Sequence, residues 1–150
     1  MTLAPADHYP TISNHLMLST RLLTEMGNAR SKLRATAQRD GSAVVVYAGG
    51  EIDACNEDTW RRLLVEATAA VVAPGIVVVD TSNLDFMGCC AFSVLADELD
   101  TCRQRGVELR LASSQPAVKR IVEASGLADV LPVHPSVDSA LTLSAEVPSL

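Results

Sequence analysis

Four β-branched residues in a row, Ile76-Val77-Val78-Val79, followed by Asp80, constrain this chain more than any other stretch. A strand with one wet face alternates apolar and polar residues. A run with no polar position belongs to a strand covered on both faces, as in the parallel sheet of an α/β domain. The next residues, Thr81 to Gly88, read as a short loop that delivers Cys89 and Cys90 to the start of a helix. Backbone N–H groups there are unpaired and the local field favours an anion. This junction is therefore the first candidate for a regulatory or chemical site.

The flanking pattern supports the same class. Leu33, Ala35 and Ala37 alternate, Arg39-Asp40-Gly41 supplies a turn, and Val44 to Tyr47 form a buried strand that Gly49-Gly50 is expected to end. Asn56 is placed to cap a helix with Glu57 and Asp58 in its first turn. Trp60, Leu63, Leu64, Ala67 and Val71 share one face of it, before Pro74-Gly75. A helix from about Cys90 to Arg105 turns Ala91, Leu95, Leu99 and Cys102 inward, and Gly106 suits a left-handed cap. Val107, Leu109 and Leu111 alternate as a strand. Ser114 is expected to cap a helix with Pro116 early in it and Val118, Ile121 and Val122 inward, stopped by Gly126. Val130, Leu131 and Val133 form a last strand, and Ser136 opens a helix with Val137, Ala140 and Leu141. The order β-β-α-β-α-β-α-β-α predicts one layered α/β domain with mostly parallel pairing. Residues 1–30 read as an extension, partly ordered or weakly helical through Ile12, Leu16, Leu22, Leu23 and Met26. The domain proper is expected over 31–145, with a tail at 146–150.

Composition narrows the function. Aromatics make up only 3%, so the core must be Val, Leu, Ile and Ala. A net charge of −6 argues against non-specific nucleic-acid binding, which depends on Lys and Arg neutralising phosphates. The sequence has no apolar run near the ~20 residues that span a bilayer, and its N-terminus lacks the order of a signal peptide. A cytoplasmic protein with reduced cysteines is expected, with neither a membrane nor a nucleic acid as partner. Cys55, Cys89, Cys90 and Cys102 form no paired zinc spacing, and His8, His15 and His134 sit in no ligand pattern, so neither metal nor cofactor is expected. An enzyme is not expected either. A phosphatase-type C-x5-R loop is missing because no arginine follows Cys90 before Arg103, and Gly49-Gly50 lacks the residues of a P-loop.

Taken in order, the residues resemble the STAS domain family, the fold of bacterial anti-sigma factor antagonists. Gly50-Glu51-Ile52-Asp53-Ala54 is similar to the family's G-E-[LI]-D-A, and VVVDTSNLDFMGCCAFSVL is similar to its strand, D-S-S-G loop and helix. Gly106 with Leu109 and Leu111, then Pro116 to Arg120, then Ser125 to Leu131, continue the likeness, which covers about Lys32 to Leu143. The resemblance implies a STAS-like mixed, mostly parallel sheet of four to five strands with about four helices.

It also implies a function. In the family, the second serine of D-S-S-G is phosphorylated by an anti-sigma factor that is also a serine kinase, and the phosphate weakens their complex. The matching residues here are Gly88, Cys89, Cys90 and Ala91, all of which depart from the motif. Cys90 stands at the phosphorylated position, and a thiol is no substrate for an ordinary serine kinase. The expected protein is an antagonist that binds an anti-sigma factor, or a related signalling protein, without control by serine phosphorylation. Its expected contact residues are Asp53, Ala54, Asn56, Met87, Gly88, Cys89, Cys90 and Phe92. For Asp53, partner contact and helix capping are equally open. Alternatives left open are a redox-responsive module and a scaffold role in another signalling complex. The redox form would be switched through Cys55, Cys89 and Cys90, because a thiol at a helix start tends to a depressed pKa. Self-association as a homodimer is also left open.

Overall fold

The computed structural model describes residues 15–146, with side chains through residue 142. The elements are α1 (Thr20–Gly27), β1 (Leu33–Asp40), β2 (Ala43–Ile52), α2 (Glu57–Ala69), β3 (Gly75–Met87), α3 (Cys89–Arg105), β4 (Val107–Ala112), α4 (Pro116–Ala124), β5 (Val133–His134) and α5 (Val137–Glu146). The five strands form one sheet in the order β1-β2-β3-β4-β5. β1 is antiparallel to β2, and every later pair is parallel. This is the mixed, mostly parallel α/β architecture expected from the sequence, with α1 added in front.

Strand order decides where the core lies. Each crossover steps one strand in the same direction, and right-handed crossovers then place α2, α3 and α4 on one face of the sheet. Val44, Val46, Val77, Val79, Leu109 and Leu111 point to that face and pack with Trp60, Leu63, Leu64, Leu95 and Val122. The opposite face would be bare without α5. Ala140 of that helix packs on Val45, Val78 and Ala112. Arg110, buried on the same side, donates to the Ala140 carbonyl at 2.6 Å and to Glu108 at 2.8 Å.

The N-terminal segment docks on the main core. The Leu16 N–H donates to the Ala37 carbonyl at 2.9 Å, extending the outer edge of β1. Ser19 caps α1 by accepting from the Leu22 N–H at 3.1 Å, and its own N–H donates to Glu66 at 2.8 Å. Leu18, Leu22 and Met26 are buried, whereas Leu23 faces solvent. Ile12 lies outside the described residues.

Several local expectations are corrected. Gly49-Gly50 does not end β2, and Thr81 to Met87 is strand rather than loop. The two strands stay paired as far as Ile52 and Met87 because register shifts after Tyr47 and after Gly50 absorb extra residues of β3. Asp80 is therefore internal to β3, where it accepts from the Ser82 N–H at 3.0 Å across the irregularity. Asn56 precedes α2 without capping it by side chain. Gln115, not Ser114, is the N-cap residue of α4, and the Ser114 N–H donates to Ser82 Oγ at 3.0 Å. Ile121 is exposed where an inward position was expected; the buried stripe of this nine-residue helix is only Val118 and Val122. The last strand is shorter than expected, since Pro132 lacks the N–H to continue pairing and Val130 is exposed.

Candidate functional site

β2 and β3 end side by side, and that places the site. The Gly88 N–H donates to the Ile52 carbonyl at 2.9 Å, so the ladder is closed up to the residue that precedes α3. Two turns then leave the same edge of the sheet, Asp53 to Asn56 leading into α2 and Gly88 leading into α3.

The first turn is tied by its own side chains. Asp53 Oδ1 accepts from the Cys55 N–H at 2.9 Å, and Asn56 Oδ1 accepts from the Asp53 N–H at 3.0 Å. The Asn56 amide donates to the Glu51 carbonyl at 2.9 Å. Asp53 also faces Lys32 at 3.5 Å. Helix capping, one of the two roles expected for Asp53, is not what these bonds display: they tie the turn itself, and Asn56 is the N-cap residue of α2. Ala54 and Cys55 are exposed on the outside of this turn.

At the second turn, Gly88 has extended backbone, with φ −71° and ψ 170°. Cys89 is exposed, Cys90 is half-buried and Ala91 is fully buried. Beneath them the Trp60 indole donates to the Ala91 carbonyl at 3.1 Å. The helix start is thus fixed from below, while its first turn opens outward. All four cysteines are free thiols.

The expectation of a depressed thiol pKa is overturned at Cys90. Burial pushes its thiol up, and the carboxylates of Glu57 and then Asp53 push the same way. N–H groups at the helix start act in the opposite direction and do not prevail. A group poised for oxidation needs thiolate character, and Cys90 has less of it than a free cysteine. Cys102 is likewise pushed up by burial, followed by Glu98.

The fold therefore brings Asp53, Ala54, Asn56, Met87, Gly88, Cys89 and Cys90 to one edge. Phe92 departs from that set. It is only 4% exposed and belongs to the core, because its position on α3 points under the helix toward α4. Sequence reasoning missed Phe86, which is exposed at the end of β3 with its ring beside Gly88. It also missed Gln115, whose amide donates to the Ser82 carbonyl at 2.8 Å and the Leu84 carbonyl at 2.7 Å, clamping the irregular part of β3. No periodicity marks such a residue; only its fixed position before Pro116 hinted at a cap. Among the described residues no cluster of His, Cys, Asp and Glu suits a metal ion, and no helix is long and apolar enough to cross a membrane.

The sequence pattern of the STAS domain family matches residues 34–140. The chain belongs to the STAS domain family. This STAS chain is 57% identical over 124 residues to a Mycobacterium tuberculosis protein with the provisional name anti-anti-sigma factor Rv2638, spanning 83% of this chain and 84% of the relative. It is 54% identical over 119 residues to the anti-sigma-F factor antagonist RsfA of M. tuberculosis H37Rv, spanning 79% of this chain and 91% of the relative. The crystal structure of an anti-sigma factor antagonist from Mycobacterium paratuberculosis matches it with a TM-score of 0.68 at 23% identity. That match covers 77% of this chain and 97% of the other, and it shows the shared STAS fold alone.

Proposed function

We propose that this STAS protein is an anti-sigma factor antagonist. It binds an anti-sigma factor, thereby frees a sigma factor, and keeps binding whether or not the anti-sigma factor is an active serine kinase. What supports the reading is Cys90, which the motif resemblance aligns with the family's phosphorylated serine and which lies half-buried in the first turn of α3. The contact edge comprises Asp53, Ala54, Asn56, Met87, Gly88, Cys89 and Cys90. The high identity to RsfA over most of both chains supports an anti-sigma factor as the partner.

Titration calorimetry against the anti-sigma-F factor of M. tuberculosis, before and after incubation with ATP, tests this. A complex of unchanged affinity and an antagonist of unchanged intact mass are expected. Absence of binding, or a phosphate on the Cys89–Ala91 segment, overturns the reading.

A further inference from the structure

β5 pairs with β4 only at Leu111 and Ala112, so among the described residues no strand lies along the outer side of Val107 to Arg110. A cavity of about 420 Å³ opens there, between β4, α3 and the 129–132 segment that leads into β5. Leu99, Val107, Leu109, Val130 and Pro132 give it an apolar wall. Arg110 and His134 share that wall, and each is more than nine-tenths buried. Arg103, Glu108 and Asp129, all exposed, form the rim.

Both buried polar groups lack something. The His134 Nε2 is shut off from solvent and has no hydrogen-bond partner among the described residues. A buried polar atom in that state is uncommon in a native fold. A neutral imidazole that carries its proton on Nε2 would donate to an acceptor placed there. Arg110 gives Nη1 to the Ala140 carbonyl and Nη2 to Glu108, but its counterion is mostly in water: the Arg110 side chain is 7% exposed and that of Glu108 62%. A pair of that kind is screened and held by a mobile arm. Glu108 nevertheless shows which head group Arg110 takes, a carboxylate at 2.8 Å. If Glu108 swings into solvent, the same seat is open to a carboxylate from outside, whose second oxygen accepts from His134. The apolar wall then needs an apolar body. Glu108 and Asp129 at the rim repel a second negative charge, which selects against dianions.

We infer that this cavity binds a small organic monocarboxylate, with its head on Arg110 and His134 in place of Glu108 and its apolar body against Leu109 and Val130. The site is independent of the antagonist reading. It lies toward the opposite end of the sheet from Gly88, since Val107 pairs with Gly75 at the start of β3.

Benzoate is the probe, with benzamide as its uncharged counterpart and phthalate as the dianion. Two-dimensional NMR of the full chain follows the His134 ring and the Leu109 amide as each is added at millimolar concentration. Benzoate is expected to shift both in a saturable way, with benzamide and phthalate weaker by about tenfold or more. Arg110 also anchors α5, so the variants leave it in place: Glu108→Gln should tighten benzoate about threefold, and His134→Asn should weaken it about threefold. Thermal melts verify that each variant is folded. If benzoate gives no saturable shift, a water alone satisfies Nε2 and the inference fails. Equal affinity for benzamide would show apolar binding without recognition of the anion, and equal affinity for phthalate would refute the single charge; either result overturns it. Shifts confined to residues away from β4 and β5 overturn it as well.

Discussion

The indole N–H of Trp60, on α2, donates to the backbone carbonyl of Ala91, in the first turn of α3, at 3.1 Å and out of reach of solvent. This bond joins the two helices that leave the sheet at the candidate site. It seats the Cys89–Cys90 turn on a rigid floor, so the spacing between the Asp53 turn and the Gly88 turn is set by a core residue.

Replacing Trp60 with Phe keeps most of the buried volume and removes the donor. The Ala91 carbonyl then loses one of its hydrogen bonds, at a net cost of about 0.5–1.5 kcal/mol. Urea unfolding followed by circular dichroism measures it, and amide exchange should quicken first at the start of α3.

Gly88 and Gly50 should respond oppositely to a side chain. At Gly88 the backbone is ordinary and a Cβ would meet the Ile52 carbonyl and the Phe86 ring no closer than 3.4 Å, so Gly88→Asp is expected to fold within about 1 kcal/mol of the parent. Its carboxylate would also face the positive end of α3. Gly50 has φ 93°, and a Cβ there would overlap the Lys32 carbonyl, so Gly50→Ala should cost about 3 kcal/mol or more. Comparing the two melting temperatures decides the matter; equal values would refute the close packing of β1 against β2 at Gly50.

Cys90 should be a sluggish nucleophile at neutral pH. Burial, Glu57 and Asp53 all hold its proton on, so its alkylation by iodoacetamide should be slower than that of a free cysteine and should accelerate only at higher pH. Mass spectrometry of a Cys55→Ser, Cys89→Ser variant reads this directly. Rapid modification at neutral pH would show that the helix start dominates after all.

His134 makes stability depend on pH in the acid direction. It is buried beside Arg110, its Nε2 has no hydrogen-bond partner among the described residues, and burial followed by the Arg110 charge lowers its pKa from 6.5. The unfolded chain therefore binds the proton more readily than the folded one. The stabilisation is complete above the unfolded value and is lost as the pH falls through the folded value. Urea midpoints at about pH 7.5 and about pH 5.5 should differ by less in His134→Asn than in the parent. An unchanged difference would place the acid sensitivity elsewhere.

The contrast between Ile76–Val79 and Thr81–Met87 shows how far the sequence could be read. Four consecutive β-branched residues need cover on two faces in any context, so the class of sheet followed from them directly. The continuation of the same strand through Ser82, Asn83 and Asp85 carries no such pattern. It is held by pairing with β2 across two register shifts and by the Gln115 clamp, which are contacts between segments far apart in the chain. A loop was the natural expectation from those residues alone.

The site divides the same way. That Cys89 and Cys90 open a helix was legible, because the periodicity of Ala91, Leu95 and Leu99 fixes where the helix begins. Whether each thiol is wet or dry was not, nor was the exchange by which Phe92 is buried and Ile121 exposed. Helical spacing says only which residues share a stripe; how wide a stripe is covered depends on how closely the neighbouring helix lies.

The residues by themselves determined the α/β class, the strand and helix order and the sulfur at the helix start, since each follows from local periodicity, capping and side-chain chemistry. Tertiary structure alone decided that Gly88 bonds to Ile52, that acidic neighbours and burial keep the Cys90 proton in place, and that Arg110 and His134 line one cavity. Those outcomes depend on distances between parts of the chain that only the folded sheet brings together.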